Sequence, residues 1–514
     1  MDLVIFHYHF HSGGVSASIR GGIRALRQSS RRIGSIRLVV GEASDPTALS
    51  RELGVEVAVL PPLGYLQPGA LSRGRREEES RRLADQLLER FGCGDSLWWV
   101  HNHHLGKNLL FTAALLRIAC SGAAQKMLLQ IHDFPEAGRY ENLSLLQRFL
   151  SLPPYPLSPN VRYAVLNPRD EEILLQAGIP PPLLFRLENP LPPPLQLFCD
   201  PARVKRRLAS AFGAEFPGYS PEHPLLLYPV RAIRRKNVLE AGLLARLAAE
   251  PVSLAVTLPG LSLREREYSR LVEGAFRRGL IPGLFGIGAA LEGAGLEFGQ
   301  LVGAAGLLLS TSVQEGFGYL FLQTLQWGLP LLARGLDTLS GLRDLFAGRH
   351  ALFYPAVACI LERKQREYSK NLYRRKLRRL AALIPPPARR SLEEEMLRFL
   401  DGETVDFSYL PPALQLRVLE QAARCAEQRR CLREANREVL QALSSLLHAG
   451  VTPFQSPGTL ERRFGAGAYA AHWEAILDSF AREPALESPL DPWAVQNAVR
   501  DQFARKENLR LLYD

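Results

Sequence analysis

Short unbroken apolar runs recur along the first 190 residues, at 3–10, 36–40, 55–60, 97–101, 127–132, 161–166 and 184–187, and stretches of helical periodicity separate several of them. A strand that is apolar on both faces belongs in a parallel sheet covered on both sides, whereas a half-exposed strand alternates. A stiff proline segment follows, Asn189-Pro190-Leu191-Pro192-Pro193-Pro194. The same alternation then restarts, with runs at 225–228, 253–257, 283–286, 305–310 and 330–333. Beyond residue 355 the strand signals stop. A basic helical segment occupies 361–383, helical signals continue through 414–448, and an amphipathic stretch covers 468–480. The pattern predicts an α/β chain: two doubly wound parallel-sheet, Rossmann-like domains facing a cleft, with a helical C-terminal insertion and extension. The expected division is 1–190, 195–355, a helical insertion at 356–450, and C-terminal helices at 451–514 packing back on the domains.

Ligands of open parallel sheets bind at the C-terminal strand ends, so the loops that follow the runs carry the candidate chemistry. After the run ending at Ser310 comes Thr311-Ser312-Val313-Gln314-Glu315-Gly316-Phe317-Gly318, then a helical stretch from Tyr319 to Gly328. This reads as strand, glycine turn, helix. A helix starting there aims free backbone N–H groups at an anion above the strand, most simply a phosphate, while Glu315 stands ready to grip hydroxyls. The first run leads into His11-Ser12-Gly13-Gly14-Val15 and a helix over 16–29, a second potential phosphate cradle. The run at 225–228 leads into Pro229-Val230-Arg231-Ala232-Ile233-Arg234-Arg235-Lys236-Asn237, which sets four cations at a strand end. Arg231 and Lys236, five apart, suit a diphosphate, one as a planar fork and the other as a point charge.

Composition narrows the class without naming it. The 514 residues are 46% hydrophobic and 22% charged, as in ordinary globular proteins, and no run approaches the roughly 20 apolar residues of a membrane span. The N-terminus lacks the basic flank of a signal peptide. Six cysteines (Cys93, Cys120, Cys199, Cys359, Cys425, Cys431) form no C-x-x-C pair, which argues against zinc and against a disulfide framework. A cytoplasmic protein is expected. The net charge of +11 calls for an acidic partner. Nucleic acid is disfavoured because aromatic residues do not interleave with the charges. Arg20, Arg24, Arg27 and Arg31 stripe the first helix, and with the basic 361–379 segment they suit peripheral contact with an anionic membrane, against the plainer reading of a solvated helix face. His7, His9, His11, His101, His103, His104 and His132 gather at predicted strand ends. No acidic ligand accompanies them, so they are read as lining a pocket, and no metal is expected.

Arg231 with Lys236, Ser310 and Ser312, and Glu315-Gly316-Phe317-Gly318 together resemble the retaining nucleotide-sugar glycosyltransferases of the two-domain B-type fold, specifically glycosyltransferase family 4. Gly13-Gly14, His132-Asp133, and Arg463-Phe464 through Trp473 extend the resemblance over most of 1–350 and 450–480. It implies a hexosyltransferase-type enzyme with a nucleotide-diphosphate sugar as donor substrate, no separate cofactor, and a carbohydrate, lipid or small-molecule acceptor on the side of the first domain. It implies that Arg231 and Lys236 hold the diphosphate and that Glu315 contacts the transferred sugar. The amides of Gly316, Phe317 and Gly318 would hold sugar and phosphate, with His132 near the reacting centre. The family's second motif glutamate falls on Gln323, which can hydrogen-bond a ribose but carries no charge. Its glycine after the lysine is Asn237. The alternatives are a phosphorylase or epimerase on the same scaffold, or a non-catalytic carbohydrate- or polyanion-binding protein.

Overall fold

The computed structural model describes residues 1–11, 13–66, 72–92, 95–197, 200–347, 350–449, 457–482, 484 and 491–510. Ser12, Cys93 and Cys199 lie outside the described residues. The chain forms two compact units: Met1–Pro192 with Ala382–Pro385 and Ser456–Asn508, and Pro193–Ala381 with Pro386–Gln455 and Leu509–Asp514.

The first unit is built on seven strands: β1 (Asp2–His7), β2 (Ile36–Val40), β3 (Glu56–Val59), β4 (Ser96–His101), β5 (Lys126–Ile131), β6 (Val161–Val165) and β7 (Leu184–Arg186). They lie in the order β3-β2-β1-β4-β5-β6-β7, and every pairing is parallel. Alternate side chains explain the unbroken apolar runs. Val4, Phe6, Trp98, Val100 and Leu129 pack on one face, and Leu3, Ile5, Leu38, Trp99 and Leu128 on the other. The helix Gly14–Ser29 lies so close to the second of these faces that a Cβ on Gly22 would fall 2.7 Å from Trp99. Helix Ala466–Ser479 joins that face through Trp473, 4.9 Å from Trp99 ring to ring, while Ala494–Phe503 buries Val495, Val499 and Phe503 on the opposite one. The run predicted as a strand to residue 10 leaves the sheet at His7. From Tyr8 onward the backbone bonds instead to the loop after β2, Gly41 N–H donating to Tyr8 and Phe10 N–H to Glu42.

The second unit carries β8 (Leu225–Arg231), β9 (Ser253–Leu258), β10 (Gly283–Phe285), β11 (Leu307–Ser310), β12 (Leu331–Arg334) and β13 (Ala351–Tyr354). Their order is β10-β9-β8-β11-β12-β13, again parallel throughout. In both sheets the winding reverses between two neighbours, β1/β4 and β8/β11. Loops leaving the C-terminal ends of such a pair diverge and open a crevice for a ligand. The helical region divides into Arg363–Arg379, Pro386–Asp401, Pro412–Arg424, Ala426–Ala435 and Arg437–His448.

Both basic stripes are more engaged than their patterns suggest. Arg20 and Arg24 lie 2.9 and 3.8 Å from Glu52, and Arg27 donates to the Leu53 carbonyl at 2.8 Å, so three of the stripe's four arginines engage the segment beside the first helix. In Arg363–Arg379, Lys370 pairs with Asp401 at 2.6 Å and Arg366 donates to the Leu400 carbonyl at 2.6 Å. No helix among the described residues is long and apolar enough to cross a membrane.

Candidate active site at the β8/β11 switch point

The switch-point geometry places the loops after β8 and β11 side by side, and hydrogen bonds tie them together. Tyr228, near the end of β8, is fully buried; its hydroxyl bonds the Lys236 carbonyl at 2.9 Å and the Ser312 hydroxyl at 2.8 Å. Thr311 Oγ1 donates to the carbonyls of Lys236 and Asn237 at 3.1 and 3.0 Å, and Val313 N–H donates to Arg235 at 2.9 Å. These bonds fix two backbones whose side chains then meet. The Lys236 ammonium donates to Glu315 Oε1, and the two side chains are only 15% and 10% exposed. Burial pushes the Glu315 carboxyl up, but Lys236, Arg235 and hydrogen bonds from Lys236 and Ser312 outweigh it, leaving the group below the usual glutamate range. Burial likewise lowers Lys236, and Glu315 opposes that effect. The pair is therefore read as ionised on both sides.

Gly318 ends the turn. Its φ of 84° is left-handed, and a Cβ there would come within 2.7 Å of Phe321 and 2.9 Å of Leu339, so glycine is required on both counts. Helix Tyr319–Trp327 starts directly afterwards, and its N-cap residue, Gly318, has no side chain to cap it, so the strand, glycine turn and helix follow one another as the pattern predicts. Phe317 is buried beneath the turn, Gly316 is half-buried, and Gln323 sits half-buried in the helix's second turn.

The four-cation cluster resolves into different roles. Arg234 is turned inward, donating to the carbonyls of Ser408 and Leu410 at 2.9 and 3.0 Å and to Asn237 Oδ1 at 3.1 Å. It therefore braces the loop and leaves the strand-end surface. Arg231 Nη1 stands 4.0 Å from Glu265, and the turn Arg234–Lys236 separates it along the chain from the Lys236–Glu315 pair. Asn237 has φ 51°, a left-handed conformation that asparagine tolerates, and its side chain donates to Glu240 at 2.7 Å. Below it lies a buried network absent from the sequence reading. Arg334 meets Glu240 at 2.6 Å and Asp406 at 2.8 Å, and Tyr354 donates to Glu240 at 2.9 Å. Polar residues in otherwise apolar strands were its only sequence signal.

In the first unit the histidines gather as the run ends imply. His7, His101, His103, His104 and His132 are buried, and His101 Nδ1 and His132 Nε2 share a hydrogen bond of 2.8 Å. Burial holds His132 down to about 3, partly offset by Asp133, and His103 down to about 4, so these rings are neutral at physiological pH. His9 and His11 continue the row, their rings 4.9 Å apart, and His11 lies 3.2 Å from Glu42. Among the described residues no three His, Cys, Asp or Glu side chains are placed to hold a metal ion. Gly13 and Gly14 are exposed at the start of the first helix, with open space around both. Arg463 forks onto Glu188, at 2.8 and 3.2 Å, and thus braces the end of β7.

No family model matches the chain. Over its whole length it is 28% identical to mannosylglucosyl-3-phosphoglycerate synthase of Petrotoga mobilis, an alignment of 530 residues that covers 100% of this chain and 99% of the relative. Among solved structures it is similar to sucrose-phosphate synthase from Thermosynechococcus elongatus, with 15% identity, a TM-score of 0.46 and coverage of 87% of this chain and 98% of that one. It is also similar to HepE of Anabaena in complex with UDP and glucose, with 15% identity, a TM-score of 0.44 and coverage of 87% and 100%. Two doubly wound parallel sheets and an end-to-end likeness to mannosylglucosyl-3-phosphoglycerate synthase make this chain a glycosyltransferase built on two Rossmann-like sheets.

Proposed function

We propose that this enzyme transfers a hexosyl group from a nucleotide-diphosphate sugar to a hydroxyl of an acidic, phosphorylated acceptor, with retention of anomeric configuration. The observation that carries the donor half is the ion pair of Lys236 and Glu315 beside a glycine-led helix N-terminus at one strand end. Lys236 and Arg231 take the diphosphate, and the amides of Gly316, Phe317 and Gly318 complete its cradle. Glu315 accepts hydrogen bonds from the sugar's hydroxyls, and Gln323 bonds the ribose. As the bond from C1 to the phosphate oxygen breaks, the new bond to the acceptor oxygen forms on the same face. The departing phosphate oxygen takes the acceptor's proton. Charge developing on the diphosphate is met by preorganised cations and amides, the largest single source of catalysis in such sites. His132 is neutral and shares a hydrogen bond with His101, so the ring itself can offer a hydrogen bond but does not serve as an acid.

The acceptor class comes from the relative, whose product joins mannose and glucose to 3-phosphoglycerate. A chain with net charge +11 suits such an anion. The test is a panel of UDP-, GDP- and ADP-hexoses offered with glucosyl-3-phosphoglycerate, with products read by mass spectrometry and the anomeric proton by NMR. Transfer with inversion rejects the mechanism, and transfer only to neutral acceptors rejects the acceptor class. In Arg231→Ala combined with Lys236→Ala, an unchanged affinity for the sugar nucleotide rejects the donor site.

A further inference from the structure

The Lys236–Glu315 contact poses a problem for donor binding, because the ammonium assigned to the diphosphate is already occupied by a carboxylate. Both groups are largely buried and belong to loops locked together by Tyr228, Thr311 and Val313, so neither drifts away to expose the other. Among the neighbouring cations, Arg234 is committed to carbonyls of Ser408 and Leu410, while the charge of Arg235 acts on Glu315 alongside that of Lys236. An ammonium has three donors, so a diphosphate can approach Lys236 beside Glu315, but two anions held against one largely buried cation repel each other and compete for it. A carboxylate so displaced in a confined site must find new hydrogen-bond donors or remain a buried, unpaired charge.

Resting on the donor-site reading above, we propose that Glu315 stands in for the donor's phosphate in the empty site, so that the enzyme discriminates between the complete sugar nucleotide and the nucleoside diphosphate left after transfer. A nucleoside diphosphate alone takes Lys236 and leaves Glu315 with Ser312 and the more distant charge of Arg235 but without its ammonium. A sugar nucleotide takes Lys236 and at the same time offers Glu315 the hydroxyls of its hexose, which replace the lost ammonium. After transfer the hexose is gone and Glu315 regains Lys236 at the expense of the product. The same carboxylate thus selects substrate on entry and weakens product on exit. The apparent dissociation constant is the intrinsic one divided by the fraction of open sites, so a pair closed about nine-tenths of the time weakens diphosphate binding about tenfold.

The sign of the effect makes this testable, because deleting a charged group from a binding site is expected to tighten one ligand. Calorimetric titration of the full chain with UDP, GDP and ADP selects the nucleoside diphosphate that binds best, and the matching hexose nucleotide is titrated beside it. In Glu315→Gln, which keeps shape and removes charge, the diphosphate binds about tenfold tighter while the sugar nucleotide gains little, so the ratio of the two affinities falls. Glu315→Ala behaves alike for the diphosphate, and unchanged thermal unfolding in either variant excludes misfolding as the source. Lys236→Ala weakens both ligands. Diphosphate binding that is unchanged or weaker in both Glu315 variants, with Lys236→Ala still weakening it, overturns the stand-in and leaves the donor site intact. Diphosphate affinity unaffected by Lys236→Ala, or no binding of any of the three, overturns the donor-site reading as well.

Discussion

Arg334 is the residue whose loss should be felt furthest from where it sits. Its guanidinium is 1% exposed and contacts Glu240, itself fully buried, at 2.6 and 3.1 Å and Asp406 at 2.8 and 2.9 Å. Replacing it by methionine keeps much of the apolar stem but leaves two buried carboxylates with no cation. Breaking a buried pair in this way costs about 3–5 kcal/mol, and here one arginine serves two acids. Burial raises the Glu240 carboxyl, and Arg334 is the strongest influence opposing it. Without Arg334 the folded-state value therefore climbs further above that of the unfolded chain. A group raised in this sense stabilises below its unfolded value, and that contribution is lost as pH rises through the folded one, so the defect of Arg334→Met is larger at about pH 8 than at about pH 5. Hydrogen exchange read by mass spectrometry measures it. Peptides spanning β8, β12 and β13 exchange about 100- to 4,000-fold faster, while those of β1 to β7 serve as the unaltered reference. Adding Glu240→Gln and Asp406→Asn recovers part of the loss by removing the stranded charges. Because Glu240 holds Asn237, the residue following Lys236, the single variant also weakens donor-nucleotide binding. Equal exchange at both pH values, or a triple variant no better than the single one, refutes the reasoning.

Three further outcomes are expected. The buried histidines of the first unit are held neutral, with folded values of about 3 for His132 and about 4 for His103 and far below normal for His7, His101 and His104. For such depressed groups the unfolded chain takes up protons first, so the first unit loses stability as pH falls below about 6.5, and the fluorescence of its buried Trp98, Trp99 and Trp473 shifts at a milder acidity than β8–β13 exchange protection is lost. Glu136 behaves in the opposite sense. Burial raises it to about 7, Gln496 opposing, and that stability disappears as pH rises through this value; Glu136→Gln therefore raises the melting temperature at about pH 8 and changes it little at about pH 5. Gly318→Ala forces a left-handed φ and a clash with Phe321 and Leu339, costing about 1–3 kcal/mol in urea unfolding and weakening nucleotide binding.

How much of this was legible in the sequence depended on whether the signal was local. The unbroken apolar runs mark most strands, because strands covered on both faces carry few polar residues until they emerge. β13 was missed: Ala351–Tyr354 is a short edge strand with a half-exposed pattern that no periodicity separates from a loop. The turn at Gly316 to Gly318 was readable, since left-handed backbone leaves glycine as its trace. The contact of Lys236 with Glu315 was not, because the two had been read as serving different parts of one ligand, and charge complementarity between them needed the β8/β11 pairing to be known. Arg234 was misjudged for a similar reason. Its partners are carbonyls some 170 positions away, and carbonyls carry no signature in a sequence.

The first unit's sheet is closed by residues far apart in sequence. Trp473 lies against Trp99, and Val499 and Phe503 fill the opposite face, so strands β1 to β7 wait for helices translated much later before either face of their sheet is sealed. Strands β8 to β13 of the second unit are all synthesised in that interval. During translation the first unit therefore holds apolar sheet exposed while the second sheet folds. A premature stop ahead of helix Ala466–Ser479 would leave the strands of the second sheet in place and unmake the packing of the sheet translated before it.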